Sequence, residues 1–222
     1  MSSPTSTTAK FAKAPLIATL VLLGGGLLVS CGDDATGPSD DFVVGAGEGF
    51  RTISEAVAAA PAGETIRVLR GTYGERIVLT KAVRLEGAGA ILDGQAGGLD
   101  GRGIGIHVLG VAGVQISGLT VQNFERGIVL ENATGARIVG NEVRNNTNKS
   151  AQTSPPLAPG VTPYEGIVLL ASSNNTVLSN FVHDNGHDGV MLADSSSGNL
   201  VRFNVITDNG RQTSPGGNGP FG

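Results

Sequence analysis

From Gly105 onward the chain repeats short runs in which apolar and polar residues alternate. Glycines open the runs at Gly105, Gly127, Gly166 and Gly189, in steps of 22, 39 and 23 residues. The middle step is one repeat plus about 17 extra residues, so the period survives an insertion. One residue after each opening glycine stand Ile106, Ile128, Ile167 and Val190, and two further on stand Val108, Leu130, Leu169 and Leu192. A second aliphatic column is Ile116, Ile138, Val177 and Val201, and a third is Val121, Val143, Val182 and Ile206. One extra residue within "SSS" of the last repeat keeps the later columns in register. Alternation inside a strand turns each column to one side, and recurrence from coil to coil stacks it. Asn141, Asn180 and Asn204 form a fourth column, whose amides can hydrogen-bond up and down the pile.

Ahead of these repeats the spacing changes to that of a helix. Thr52 followed by Glu55 makes a capping box for "TISEAVAAA", with Ile53, Ala56, Val57 and Ala60 on one face and Pro61 then Gly63 as the stop. Strand-like runs follow as "TIRVL", "RIVLT", "AVRLEG" and "AILDG", each closed by glycine or a turn. Together these elements predict an all-β fold: a right-handed parallel β-helix, or solenoid, with a short N-terminal capping helix. The predicted β-helix domain spans 42–222, with a Pro/Ser-rich insertion at 147–165. Composition agrees, since aromatic residues are 4% of the chain and Trp is absent, so the core must rest on many small aliphatic contacts. The formal net charge of −4 points away from a nucleic-acid partner.

The N-terminus changes the expected address. Lys10 and Lys13 precede an apolar run from Ala14 to Val29, which ends in "LLVSCG". Leu28-Val29-Ser30-Cys31 resembles the lipobox of bacterial lipoproteins. That resemblance implies a lipoprotein signal peptide over 1–30, lipidation of Cys31, and a chain held on a membrane by several acyl chains. The implied location is the bacterial cell envelope, on its periplasmic or extracellular face. Cys31 is the single cysteine, so no disulfide or thiol chemistry is left to the domain. After it, "GDDATGPSDD" reads as a flexible acidic tether over 31–41.

The stacked columns, with "TISEAVAAAPAGETIRVLRGTYGERIVLTKAVRLEGAGAILDG" as N-terminal cap and first coils, resemble the pectin-lyase-like β-helix proteins. The likeness is to the NosD-like and periplasmic carbohydrate-binding and sugar-hydrolase members in particular. It implies binding or processing of a polysaccharide or uronate-containing glycan, with lyases, hydrolases, epimerases and noncatalytic scaffolds all built on the fold. Calcium would enter through this resemblance alone. No cofactor is evident from the residues, and three scattered histidines without a methionine cluster give no basis for copper chemistry. "VHDNGHDG" is similar to a stretch of the mannuronan C5-epimerase modules. Their Asp-Pro-His-Glu motif is replaced here by Ile167 to Ala171.

The register selects the candidate site. Val182 lies in a core column, so His183 faces out in line with Gln122, Arg144 and Thr207, beside the outward column Thr120, Glu142, Phe181 and Val205. Coils lie about 4.8 Å apart, so Glu142, Arg144, Phe181 and His183 should form a two-by-two patch. An aromatic plane can cover the apolar face of a sugar, while Arg144 can pair with a carboxylate. The other reading is a solvated face with Asp184, Asn185 and Asp208 as turn residues. His183, Asp188 and Arg144 are the catalytic candidates. The neighbours His183 and Asp184, like His187 and Asp188, are expected to point apart, so a dyad needs His183 to meet Asp188 across the corner. Tyr164 and Glu165, where the insertion rejoins the repeats, are candidate ligand contacts. An outward apolar column of Val129, Val168 and Met191 offers a docking stripe for an assembly role. Finally, Gln212-Thr213-Ser214-Pro215 echoes Gln152-Thr153-Ser154-Pro155, which suggests a front portion of a longer repeat protein, C-terminally incomplete at Gly222.

Overall fold

The computed structural model describes residues 42–147, 158 and 163–210. The signal run, Cys31 with its tether, most of the insertion and the C-terminal echo lie outside them. Strand β1 (Val43–Val44) and helix α1 (Ile53–Ala59) come first. The capping box forms, with Thr52 accepting from the Glu55 N–H and Glu55 reaching back to the Thr52 N–H. Glu75, from the next coil, accepts the Ile53 and Ser54 N–H groups at 2.7 and 2.9 Å. The first helical turn is thereby satisfied from both sides. Ile53, Ala56, Val57 and Ala60 bury their side chains against the first coils.

Six coils follow. The first carries β2 (Thr65–Val68), β3 (Gly71–Tyr73) and β4 (Ile77–Leu79), and the second β5 (Arg84–Asp93) and β6 (Ile104–Leu109). The third has β7 (Gln115–Gln122) and β8 (Arg126–Glu131), and the fourth β9 (Arg137–Val139), β10 (Glu142–Arg144) and β11 (Ile167–Leu170). The fifth has β12 (Thr176–Leu178), β13 (Phe181–His183) and β14 (Val190–Ala193), and the last β15 (Leu200–Arg202) and β16 (Val205–Thr207). Strands pair in parallel from coil to coil, with β4, β6, β8, β11 and β14 in one sheet and the other described strands in a second. The result is a parallel β-helix.

The aliphatic columns stack in the expected register. Ile106 pairs with Ile128, Ile128 with Ile167 and Ile167 with Val190. Ile138 pairs with Val177 and Val177 with Val201, while Val143 pairs with Val182 and Val182 with Ile206. Two expectations about the strands change. "AVRLEG" and "AILDG" are one strand, β5, because a register shift between Glu86 and Ala90 absorbs the extra residues without ending the ladder. Gly87 sits at that bend, where a Cβ would lie 2.5 Å from the Gly118 carbonyl oxygen. The supposed docking stripe is also covered. Val129 and Val168 are 0% exposed and pack with Leu170 in a second cluster, against which Ile104, Ala158, Met191 and Ala193 rest. Ala158, a residue of the insertion, is among those packed against this column.

At the corners of the later coils a left-handed residue precedes a ladder residue. Gly140, Ser179 and Phe203 (φ 64°, 54° and 56°) precede Asn141, Asn180 and Asn204. Asn145, Asp184 and Asp208 (φ 53°, 53° and 57°) precede Asn146, Asn185 and Asn209. Asn174 and Gly198 (φ 59° and 63°) precede Asn175 and Asn199. The left-handed residue turns the chain, and the asparagine then points inward to bond the next coil. Amide-to-amide distances are 3.1 and 2.9 Å along the first column, 2.9 and 2.9 Å along the second and 3.1 Å in the third. Asn185 is therefore a buried rung, not a solvated turn residue.

Candidate functional site

The outward face of β5, β7, β10, β13 and β16 carries the candidate site. Parallel pairing sets Glu142 between Thr120 and Phe181, and Arg144 between Gln122 and His183. Asp93 extends the second of these rows, opposite Gln122. Every polar member is held by a neighbour one coil away. The Thr120 hydroxyl donates to Glu142 Oε2 at 3.1 Å, and Glu142 Oε1 lies 3.2 Å from His183 Nε2. Arg144 Nε donates to Gln122 Oε1 at 3.0 Å, with a second guanidinium nitrogen 3.6 Å from Glu142 Oε1. Gln122 in turn donates its amide to Asp93 Oδ2 at 2.9 Å, and Asn123 donates to Asp93 Oδ1 at 3.0 Å.

Burial would raise the Asp93 pKa, but it is outweighed. Hydrogen bonds from the Gln95 N–H, Asn123 and Gln122, with the charge of Arg144, hold the carboxyl below its ordinary range. The Phe181 ring stacks on the His183 ring, with centroids 3.9 Å apart and planes 23° from parallel. His183 keeps a side-chain exposure of only 12%, whereas Phe181 remains 42% exposed. The patch presents one aromatic plane and a rim of oxygens to solvent.

The histidine–carboxylate pairs differ from the sequence expectation. His183 Nδ1 lies 2.7 Å from Asp184 Oδ2, and His187 Nδ1 lies 3.0 Å from Asp188 Oδ2. Sequence neighbours meet in the first pair because Asp184 takes a left-handed φ of 53°, which rotates its side chain back beside His183. Asp188 is thus the partner of His187, and the His183 imidazole is flanked by Glu142 and Asp184. Either tautomer can donate to one of these carboxylates.

Tyr164 and Glu165 sit apart from this face, against Glu125 and Arg126. Glu165 is 0% exposed and lies 3.6 Å from Arg126 Nε, so it is an internal partner of a buried guanidinium and not a surface contact. Burial lowers the Arg126 pKa, with Glu165, Glu125 and Tyr164 acting against the shift. Tyr164 is half-buried, and its phenol is raised by burial and by Glu125. Two clefts of about 440 and 430 Å³ lie near the N-terminal cap, one between α1 and β4 and the other beside the 45–47 loop with Arg51 and Arg70. The patch itself is a face rather than a pocket. No group of three or more His, Cys, Asp or Glu among the described residues is arranged to hold a metal ion.

Residues 91–219 match the family profile described as the right handed beta helix region. The chain belongs to this right-handed β-helix family. No curated protein matches this β-helix chain. Among solved structures, the crystal structure of alginate lyase from Paenibacillus sp. str. FPU-7 aligns with 70% of this chain and 95% of that one, at 15% identity and a TM-score of 0.30. A likeness this loose carries no weight for substrate or mechanism.

Two members of the β-helix face were not singled out from sequence as partners. Asp93 lies in the irregular second coil, where the bulge hides its register, so repeat spacing alone does not reach it. Asn123 stands at a corner with φ 62°, outside the columns that superposing the repeats brings out.

Proposed function

We propose that this protein binds polysaccharide on the outward face of β7, β10 and β13 and is held at the bacterial cell envelope by a lipid on Cys31. The observation that carries the binding reading is the Phe181 ring. It is a large exposed apolar plane, fixed by its stack on His183 and bordered by Glu142 and Arg144 on the neighbouring coil. Carbohydrate recognition needs this combination: a flat surface for sugar C–H groups and anchored polar atoms for the hydroxyls at its edge. A rigid ladder supplies both without a closing loop, so little ordering is required on binding. Phe181→Ala is expected to weaken binding of the recognised glycan by roughly tenfold, which corresponds to about 1.4 kcal/mol, in affinity electrophoresis or calorimetry. Unchanged affinity would remove this face from consideration.

The anchoring reading rests on the lipobox-like Leu28-Val29-Ser30-Cys31. Expressed in a bacterium, the chain should partition into the membrane fraction, and Cys31→Ser should release it or leave an unprocessed precursor. A Cys31→Ser protein retained at the membrane after processing would contradict the lipid anchor.

One observation favours a second reading, in which the same face turns over its glycan: an imidazole placed between two carboxylates has the makings of a general acid–base group. The cover of Phe181 weighs against it, because it leaves His183 little open edge. New reducing or unsaturated chain ends, lost in His183→Ala, would establish turnover.

A further inference from the structure

We infer that the glycan bound on this face is neutral, not a uronate chain. The inference rests on the reading of the β7–β10–β13 face as a glycan site and concerns which class of sugar it takes. A uronate-binding face needs cations whose charge is free to meet an incoming carboxylate. Here the guanidinium and the imidazole are both committed within the face. Arg144 donates to Gln122 and lies against Glu142, and the Gln122 amide is itself turned by Asp93 so that its oxygen must face Arg144. His183 has a carboxylate at each ring nitrogen, and the Phe181 ring lies over it.

The charge count runs the same way. Asp93, Glu142, Asp184 and Asp208 occupy the rows and their corner, against the single guanidinium of Arg144. Among the described residues of this sheet, Arg137 and Arg202 stand on β9 and β15, beyond the Gly140 and Phe203 corners, and Arg202 lies 4.2 Å over the Phe203 ring. A uronate laid on Phe181 would add a carboxylate to this set or would have to displace Glu142 from Thr120, His183 and Arg144 together. A neutral sugar meets the opposite situation. Its hydroxyls are donors, and a carboxylate offers about four acceptor positions over its two oxygens. Hydrogen bonds to such charged acceptors are the stronger kind. The exposed apolar positions in the first row, Phe181 and Val205, then run along the stack at the coil spacing of about 4.8 Å, a track for consecutive sugar faces.

The test is calorimetric titration of the full chain, in detergent and at low ionic strength. The probes are hexasaccharides of two sets: neutral gluco-, manno-, galacto- and xylo-oligosaccharides, and acidic oligogalacturonate, oligomannuronate and oligoguluronate. At least one neutral probe should bind at least tenfold tighter than every acidic one, and that binding should weaken roughly tenfold in Phe181→Ala. Glu142→Gln should narrow the gap by weakening the neutral probe and strengthening the acidic ones. Tighter Phe181-dependent binding of an acidic probe would overturn the inference and leave the glycan site standing. Binding of no probe, or neutral binding indifferent to Phe181→Ala, would overturn the site reading and this inference with it.

Discussion

A buried asparagine amide has two N–H donors and an oxygen that takes two acceptor contacts, and Asn180 uses all four. Its oxygen accepts the Asn141 N–H at 2.9 Å and the Asn141 amide at 3.1 Å, while its own nitrogen donates to the Ile138 carbonyl and to Asn204, both at 2.9 Å. No other side chain of similar size supplies two donors and a two-fold acceptor in one plane. Asn180→Ala removes a partner from four groups, of which the Asn204 oxygen keeps another, the Asn180 N–H, and a cost of about 3 kcal/mol or more is expected from the shift in denaturant midpoint. Asn180→Asp should also be destabilising, since the second oxygen would face the acceptors of Ile138 and Asn204. At this scale the sequence was half legible. The column through Asn141, Asn180 and Asn204 can be seen by superposing repeats, and so could have been the one through Asn146, Asn185 and Asn209, three residues after each core valine or isoleucine. What hid the second was Asp184 and Asn185 standing together in "HDNG", a string that reads as a solvated turn until the left-handed φ of Asp184 is known to send the next side chain inward.

For strands and corners, the coil-opening glycines have a physical reason that periodicity alone does not provide. A Cβ on Gly166 would lie 2.6 Å from the Gly189 carbonyl oxygen, 2.6 Å from a Val182 methyl and 2.8 Å from the Asn185 amide. Gly127 meets the same obstacle one coil earlier, 2.5 Å from both the Gly166 oxygen and a Val143 methyl. The corner is packed between an inward strand and a rung, so there is no room for a methyl group. Gly166→Ala should cost about 1–3 kcal/mol by overpacking. Gly49→Ala, where nothing lies within 4 Å, should stay within about 0.5 kcal/mol of the parent. Thermal or denaturant unfolding of the two variants side by side checks both. The strand positions and helix cap were legible because each repeats a local rule, period two or a capping box. The merger of β5 and the burial of Val129 and Val168 were not, since both depend on what lies across a coil or over it: a register shift in one case, and the packing of Ala158 in the other.

Across the molecule, burial is graded along the stack. Leu169, Val177 and Val182 are 0% exposed in the fifth coil and the strand before it, whereas Leu192, Val201 and Ile206, the next members of the same columns, are 45%, 40% and 47% exposed. Each coil of a solenoid is stabilised chiefly by its neighbours, so the least buried one should open first. Amides of β15 and β16, though bonded to the Asn175 and Asn180 carbonyls, are expected to exchange at least tenfold faster than those of β12 and β13 in hydrogen-exchange mass spectrometry. Equal protection in both pairs would show that the described coils open as one unit. The asparagine columns add a direction to this gradient. In each amide-to-amide contact the oxygen belongs to the later coil and the N–H to the earlier one, so the side-chain dipoles of three columns all point the same way. They form a set of parallel one-way rails, and a strand laid on the last described coil would continue the Asn199 and Asn204 rails only with an oxygen at each of those corners, the Asn209 amide already turning its second N–H to the Thr207 carbonyl.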